Sequence, residues 1–76
     1  MKEVLETVIK GLVDQKEKVS INEKNETRTT LYEVKVAKED MGKVIGKQGK
    51  MAKAIRTVMK SIAVKENKKI NIEFLD

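Results

Sequence analysis

The sequence has 76 residues, enough for one small domain spanning residues 1–76, and it contains no His, Cys or Trp. Without imidazole or thiolate groups, a zinc centre, a disulfide framework and a Ser-His or Cys-His catalytic pair are excluded, so we expect neither an enzyme nor a metal or other cofactor. The 17 Lys and Arg residues outnumber the 12 Asp and Glu residues, and the resulting net charge of +5 indicates a polyanionic partner.

The first half of the chain predicts a helix followed by a β-hairpin. Apolar residues recur at the i, i+3 and i+4 positions from Val4 to Val13, which is typical of an amphipathic helix. Residues 19–21 predict a short, half-buried strand, and the polar residues 22–26 predict the turn that follows it. Residues 29–36 are rich in β-branched side chains that alternate with polar ones, so they predict the second strand of the hairpin.

The second half predicts two helices around a glycine loop, and then a last strand. A short helix is indicated by Met41, Val44 and Ile45, and it is interrupted by Gly46 and Gly49. A longer helix follows from Lys50, and residues 70–75 alternate as in a strand. The apolar stripe of the longer helix comprises Met51, Ala52, Ile55, Val58, Met59, Ile62 and Ala63. This order of elements predicts an α+β fold in which three helices cover one face of a three-stranded sheet.

The positive charge is concentrated in residues 42–69, which contain nine basic residues and one acidic residue, Glu66. Such a stretch favours binding to nucleic acid or to an anionic membrane. No apolar run approaches the roughly 20 residues of a membrane span, and residues 2–6 interrupt any signal-peptide core, so we expect a cytoplasmic protein. Peripheral membrane binding is the weaker alternative, because the basic helix lacks the Trp or Phe of interfacial helices.

The most specific local pattern is the pair Gly46 and Gly49, followed by a helix that begins with Lys50. Two glycines three positions apart permit a tight turn with positive φ and leave the backbone open to a phosphate. A helix cap that binds nothing would show the same two glycines. However, lysines in the first turn of a helix cost about 0.3–1 kcal/mol each, and Lys47, Lys50 and Lys53 crowd this end. A bound anion would remove that cost, which favours a phosphate site.

The segment from Glu39 to Thr57, with its Val-Ile-Gly-Lys-Gln-Gly-Lys motif, resembles the KH domain, a module whose GxxG loop clamps single-stranded nucleic acid. The element order is similar to the type II arrangement, α-β-β-α-(GxxG)-α-β, and the length is similar to the small stand-alone KH proteins of bacteria, the KhpA family.

The resemblance implies a role for each matching position. The backbone of the RNA would be gripped by Gly46, Lys47, Gln48 and Gly49, and its phosphates would be contacted by Lys43, Lys50, Lys53 and Arg56. One wall of a narrow base-binding groove would be formed by Val44 and Ile45, and the opposite wall by the sheet and the variable loop at residues 22–26, with Ile70 and Ile72 of the last strand near the groove. For the four apolar residues of these walls, the competing interpretation is that they pack in the core.

The implied function is non-enzymatic binding of single-stranded RNA, with a role as an RNA chaperone or post-transcriptional regulator. The family also implies a homodimer, or a heterodimer with a second, larger KH-domain protein. The alternative from the residues themselves is a protein–protein interaction module whose basic surface is incidental. Its contact face would be the stripe of Met51, Ile55, Met59 and Ile62.

Overall fold

The computed structural model describes residues 1–75, which form three helices, three strands and three short 3₁₀ turns. The helices are α1 (Lys2–Leu12), α2 (Met41–Ile45) and α3 (Lys50–Lys65), and the strands are β1 (Ser20–Asn25), β2 (Thr30–Lys35) and β3 (Ile70–Leu75). The 3₁₀ turns are Lys16–Lys18, Lys38–Asp40 and Lys47–Gly49. The predicted α+β fold and the predicted order of its elements are confirmed.

The sheet has the order β1-β2-β3, with β2 in the centre. The first two strands are antiparallel and place Ile21 opposite Val34, whereas β2 and β3 are parallel and place Tyr32 opposite Ile72. These four side chains are buried, while the alternate positions Asn22 in β1 and Asn71 and Glu73 in β3 are exposed. One face of the sheet therefore carries the core and the helices, and the other face is open to solvent.

The core is formed between that buried face and the inner sides of the helices. The first helix contributes Leu5 and Ile9, both fully buried, at the spacing that its sequence predicts. The remaining buried apolar core residues are Val13, Ile21, Tyr32, Val34, Val36, Val44, Ile55, Met59, Ala63, Ile70 and Ile72. Among residues 1–75, no helix is long and apolar enough to cross a membrane.

The prediction for the first hairpin strand was too short. Residues 22–25, which we predicted to be a turn, continue β1 up to Asn25, and the connection to β2 is residues 26–29. These positions are polar because β1 is an edge strand in which Ile21 is the one buried residue. Backbone pairing with β2 and an Asn22–Glu33 side-chain hydrogen bond of 3.2 Å hold the strand without a hydrophobic pattern.

The apolar stripe of α3 divides into two neighbouring faces. The core face consists of Ala52, Ile55, Met59 and Ala63, all buried. A second face carries Met51 and Val58, which are 38 % and 54 % exposed, although both belong to the predicted apolar stripe. The helix is therefore more apolar than its own core contact requires.

Candidate nucleic-acid interface

The GxxG loop, residues 46–49, joins α2 to α3 through a backbone with three left-handed positions. Gly46 has φ 76° and ψ 176°, and Gly49 has φ 75° and ψ 13°. Gln48 between them has φ 57° and ψ 26°, although it carries a side chain. The predicted need for positive φ at both glycines is confirmed, and Gln48 adds a strained position at the exposed tip.

Gly46 also lies at the closest approach of the two helices. A Cβ atom built on it would lie 2.7 Å from Cβ of Met51 and 2.9 Å from the Met51 nitrogen. Both distances are shorter than a carbon contact allows, so the first turn of α3 packs directly against this glycine. The packing fixes the angle at which the GxxG loop leaves α2.

The loop leaves polar groups open at its outer surface. The N–H of Gly46 donates to the Gly42 carbonyl at 2.9 Å, and the N–H of Gly49 donates to the Gly46 carbonyl at 3.3 Å. The amides of Lys47 and Gln48 have no acceptor elsewhere among residues 1–75, and both side chains are exposed. Two free backbone donors therefore lie at the exposed tip of the turn that enters α3.

Three of the predicted phosphate-binding lysines surround these donors. Lys47, Lys50 and Lys53 are exposed, and within the described residues 1–75 none of them forms an ion pair. Lys50 and Lys53, three residues apart in α3, lie on adjoining parts of the helix surface, and Lys47 lies in the loop before them. No acidic residue occurs between Asp40 and Glu66 to neutralise them. The loop therefore carries a local positive field without an internal counter-charge.

Lys43, in contrast, is paired with acidic residues, although its side chain is 45 % exposed. Its ammonium group forms an ion pair with Asp14 and lies 3.4 Å from Oδ1 of Asp40. In this structure the side chain links α2 to the segment that follows α1, and its predicted phosphate contact stays a prediction.

Asp40 is the buried centre of that link, and sequence reasoning missed its role. Its side chain is almost fully buried, and its two carboxylate oxygens accept the backbone N–H groups of Asp14 at 3.2 Å and Gln15 at 3.0 Å. The sequence showed only an acidic residue before a helix, because the partners that bury it lie about 25 residues away. We call Asp14, Gln15, Asp40 and Lys43 the α1–α2 clasp.

The clasp shifts the protonation equilibria of its members. The hydrogen bond from the Gln15 amide holds the pKa of Asp40 below its ordinary value, and the Asp14 amide and Lys43 act in the same direction against the effect of burial. The hydrogen bond to Asp14 raises the pKa of Lys43. Both groups are therefore charged at neutral pH.

Arg56 is also committed to the fold. Its Nε donates to the Ile72 carbonyl at 3.1 Å, and its guanidinium carbon lies 5.3 Å from the centre of the Phe74 ring. These contacts join α3 to β3 along an edge of the sheet. Arg56 therefore has a structural role in this fold, and its predicted phosphate contact stays a prediction.

The predicted apolar groove is largely closed. Val44, Ile70 and Ile72 are at most 4 % exposed, so they are core residues, as the competing interpretation held. Ile45 is only partly buried and lies directly before the GxxG loop. Of the four predicted groove residues, Ile45 alone keeps an accessible side chain beside the loop.

The predicted variable loop lies at the other end of α3. The hairpin connection is residues 26–29, and it meets the turn after α3, where the N–H of Thr30 donates to the Lys69 carbonyl at 3.0 Å. The GxxG loop precedes the 16-residue α3, so the two loops are separated by the length of that helix, about 24 Å. The hairpin connection therefore lies at the end of α3 remote from the GxxG loop, and its predicted role as a groove wall stays a prediction.

The described residues, 1–75, contain no cluster of acidic side chains that could hold a metal ion. The accessible groups around the GxxG loop are lysine ammonium groups, backbone amides and one aliphatic side chain. Such groups bind an anion and position it, and they include no arrangement for acid–base catalysis.

Comparison with known proteins gives matches over almost the whole chain. The family model described as KhpA/KhpB, KH domain, matches residues 2–74. The chain is 55 % identical over 75 residues to the RNA-binding protein KhpA of Clostridium acetobutylicum, which covers 99 % of this chain and 100 % of that protein. It is 46 % identical to the RNA-binding protein KhpA of Chlamydia trachomatis, over 100 % of this chain and 97 % of that protein. The protein of the same name in Listeria monocytogenes is 43 % identical over the full length of both. No solved structure matches significantly.

Proposed function

The chain belongs to the KhpA/KhpB family of KH domains, and from that premise we propose that it is a non-enzymatic protein that binds single-stranded RNA at its GxxG loop. The observation that carries the proposal is that the loop tip has two free amides and that three exposed lysines, Lys47, Lys50 and Lys53, lie in the loop and the first turn of α3. Three unpaired lysines at the start of α3 interact unfavourably with the positive end of the helix dipole, and a bound phosphate backbone would offset that free-energy cost. The relatives from Clostridium acetobutylicum and Chlamydia trachomatis, which are 55 % and 46 % identical to this chain, are named as RNA-binding proteins.

The proposed contact set follows from the accessible groups. Gly46, Lys47, Gln48 and Gly49 grip the sugar-phosphate backbone, while Lys50 and Lys53 neutralise flanking phosphates. Ile45 offers the aliphatic contact for one base. Val44, two residues before the loop, supports it from the core, and Lys43 and Arg56 hold the elements around it. Ile70 and Ile72 pack in the core as part of β3.

Recognition of bases at this loop is expected to be weakly selective. Among residues 1–75 the two aromatic rings are Tyr32, which is buried, and Phe74, which is partly buried and has Arg56 over its face. Base stacking on a free aromatic ring, the main sequence-tolerant contact of other single-strand binders, is therefore replaced by hydrogen bonds and aliphatic contact. Such a protein suits an RNA chaperone or post-transcriptional regulator of the cytoplasm that binds many transcripts.

The test is to replace Lys47 and Gln48 together by Asp. We expect the affinity for single-stranded RNA to fall at least tenfold, because two negative charges then face the phosphates. The melting temperature is expected to change by no more than about 3 °C, since both side chains are exposed and Asp tolerates the left-handed position of Gln48. Fluorescence anisotropy with a labelled oligonucleotide and thermal circular dichroism measure the two effects.

The matched control replaces Lys2 and Ser20 by Asp, which changes the net charge equally on exposed surfaces of α1 and β1. This control is expected to bind RNA within about threefold of the natural chain. For a 4-nucleotide RNA, the log–log salt slope of the natural chain should be about −2, from three neutralised phosphates at about −0.7 each. Full-strength binding by the loop variant, or an equal loss in the control, would show that the GxxG loop is a helix–helix turn only.

A second candidate function, association with another KH-domain chain, is favoured by one apolar groove. The groove lies between α1 and α3, has a volume of about 480 Å³, and contains Met51 and Val58 with the backbone of Gly11 exposed beside them. Of the stripe predicted for this purpose, Ile55 and Met59 lie in the core, so their accessible area is small. The groove is compatible with a homodimer or with a heterodimer formed with a larger KH-domain protein.

A further inference from the structure

A second basic surface lies at the end of α3 opposite the GxxG loop. It is built from the hairpin connection, the last turns of α3 and the start of β3. We call it the distal site and define it by the residues that line its concavity of about 270 Å³: Thr29, Lys60, Ala63, Val64, Lys68, Lys69, Ile70 and Asn71. The length of α3 separates it from the GxxG loop by about 24 Å.

The lysines of the distal site have no acidic partner within the part of the chain that the structure describes. Lys60, Lys68 and Lys69 are exposed and take part in no ion pair, and no carboxylate lines the concavity. Acidic groups occur in the neighbouring depression, where Glu23 and Glu26 lie beside Arg28. An anion would therefore be attracted to the α3 side of Lys68 and Lys69, away from those two carboxylates.

The backbone that carries these lysines is held by hydrogen bonds. The N–H of Lys68 donates to the Ala63 carbonyl at 2.8 Å, and the N–H of Asn67, whose φ is 57°, donates to the Val64 carbonyl at 3.0 Å. The carbonyl of Lys69 accepts from Thr30 on the neighbouring strand. Since the turn is tied to both α3 and β2, the two lysines start from fixed positions, which lowers the entropic cost of ordering them on a ligand.

The lining of the distal site is suited to a nucleotide more than to a bare phosphate. Val64 is 71 % exposed and gives the concavity an aliphatic wall, while Thr29 and Asn71 add hydrogen-bonding groups. A base or ribose can cover Val64 while its phosphate meets the lysines. Lysines at the end of a helix also interact favourably with the helix dipole, but that effect accounts for Lys65 and Lys68 and not for Lys60 on the preceding turns.

We infer that the distal site binds a second segment of the same single-stranded RNA that the GxxG loop holds. This inference rests on the proposed function and extends it: the RNA footprint would follow α3 and be longer than the roughly four nucleotides of a GxxG clamp. Phosphates contact Lys60, Lys68 and Lys69, and one nucleotide covers Val64.

The experiment compares a 4-nucleotide RNA with one of about 12 nucleotides, three times the footprint of the clamp. Lys68 and Lys69 are replaced together by Gln, and the matched control replaces Lys2 and Lys24 by Gln on other exposed surfaces. We expect the distal variant to bind the longer RNA roughly 5- to 20-fold more weakly at 0.1 M salt and to reduce the magnitude of its log–log salt slope by about 1.4. Its affinity for the 4-nucleotide RNA, and the control's affinity for both, should stay within about twofold.

Three outcomes would overturn the inference. Equal losses in the distal variant and the control would assign the effect to net charge. If the natural chain binds neither RNA, the proposed function fails and the distal site fails with it. If the natural chain binds the short RNA and the distal variant binds the longer RNA as tightly as the natural chain does, only the distal site is contradicted.

Discussion

Gly46 combines two constraints that a side chain could not meet together. Its φ of 76° and ψ of 176° lie in a region that is essentially reserved for glycine, and its α-carbon faces the backbone of Met51. Gly42, four residues earlier in α2, faces open space. The two glycines therefore look alike in the sequence and differ in what the fold requires of them.

We expect Gly46→Ala to lower the free energy of unfolding by about 3 kcal/mol, from backbone strain and from the overlap of the new methyl group with Met51. Gly42→Ala, the matched control, should raise it by about 0.5–1 kcal/mol, because alanine in an exposed helix loses less conformational entropy. Urea unfolding followed by circular dichroism measures both. A loss below about 1 kcal/mol in Gly46→Ala would mean that α2 and α3 are not packed tightly at this point.

At the scale of the elements, the α1–α2 clasp is what positions the short helix α2. A helix of five residues has little stability of its own, so its place depends on tertiary contacts. The Asp40 carboxylate supplies them by accepting two amides from the segment after α1, while Lys43 on the next turn balances its charge. Because the GxxG loop follows α2 directly, the buried Asp40 carboxylate also fixes the position of the loop.

Asp40→Asn is expected to lower the melting temperature by roughly 10 °C at pH 7, because the new NH₂ group would oppose a backbone N–H or the Lys43 ammonium. The folded-state pKa of Asp40 is below its unfolded value, so its stabilisation is complete above about pH 4 and is lost as the pH falls through the folded pKa. The difference between the natural chain and the variant should therefore shrink below about pH 4. Thermal scans at pH 7 and pH 3 measure this.

Asp14→Asn is the control for that measurement, since the Asp14 side chain is 81 % exposed and its pair with Lys43 should be worth little. We expect its melting temperature to stay within about 3 °C of the natural value at both pH values. A variant at position 40 that behaves like this control would mean that Asp40 does not hold α2.

Helices and strands were predicted correctly where their buried residues recur with a regular period. Where burial has no period, as in the second part of β1, the sequence predicted a turn instead of a strand. Leu5 and Ile9 in α1, and Tyr32 and Val34 in β2, follow the periods of a helix and of a strand, so their elements were evident. Residues 22–25 of β1 carry no period because an edge strand with an open face buries little, and the ladder with β2 that forms them is a long-range contact.

The candidate site could be predicted only in part, for a related reason. The glycines and lysines of the GxxG loop act through local backbone geometry, which a short motif can encode. The ties of Lys43 to Asp14 and of Arg56 to Ile72 depend on residues 16 or more positions away, so both looked like free cations in the sequence. The exposure of Val58 was hidden because an apolar residue beside a core face has the same periodicity as the face itself.

At the scale of the whole molecule, α3 carries three separate surfaces. We assign the surfaces at its two ends to RNA and the groove along its side to a partner. The molecule measures 34 × 22 × 18 Å, and the two basic sites lie at opposite ends of this helix. The apolar groove opens along its side, between Met51 and Val58. A dimer formed through the groove would therefore leave both basic ends accessible, so association and RNA binding are compatible functions of one chain.

The last prediction concerns that association. We expect light scattering at about 100 μM to give twice the chain mass of 8.6 kDa for the natural chain, and a single chain mass for Val58→Asp, because an unpaired carboxylate in an apolar contact costs far more than the contact gains. Val64→Asp, a more exposed valine outside the groove, should remain dimeric. Since Val58 is half exposed in the single chain, its variant should keep the natural circular dichroism spectrum and its affinity for a 4-nucleotide RNA. A natural chain that is monomeric at this concentration contradicts the homodimer, and dimers in all three proteins place the contact elsewhere than the groove.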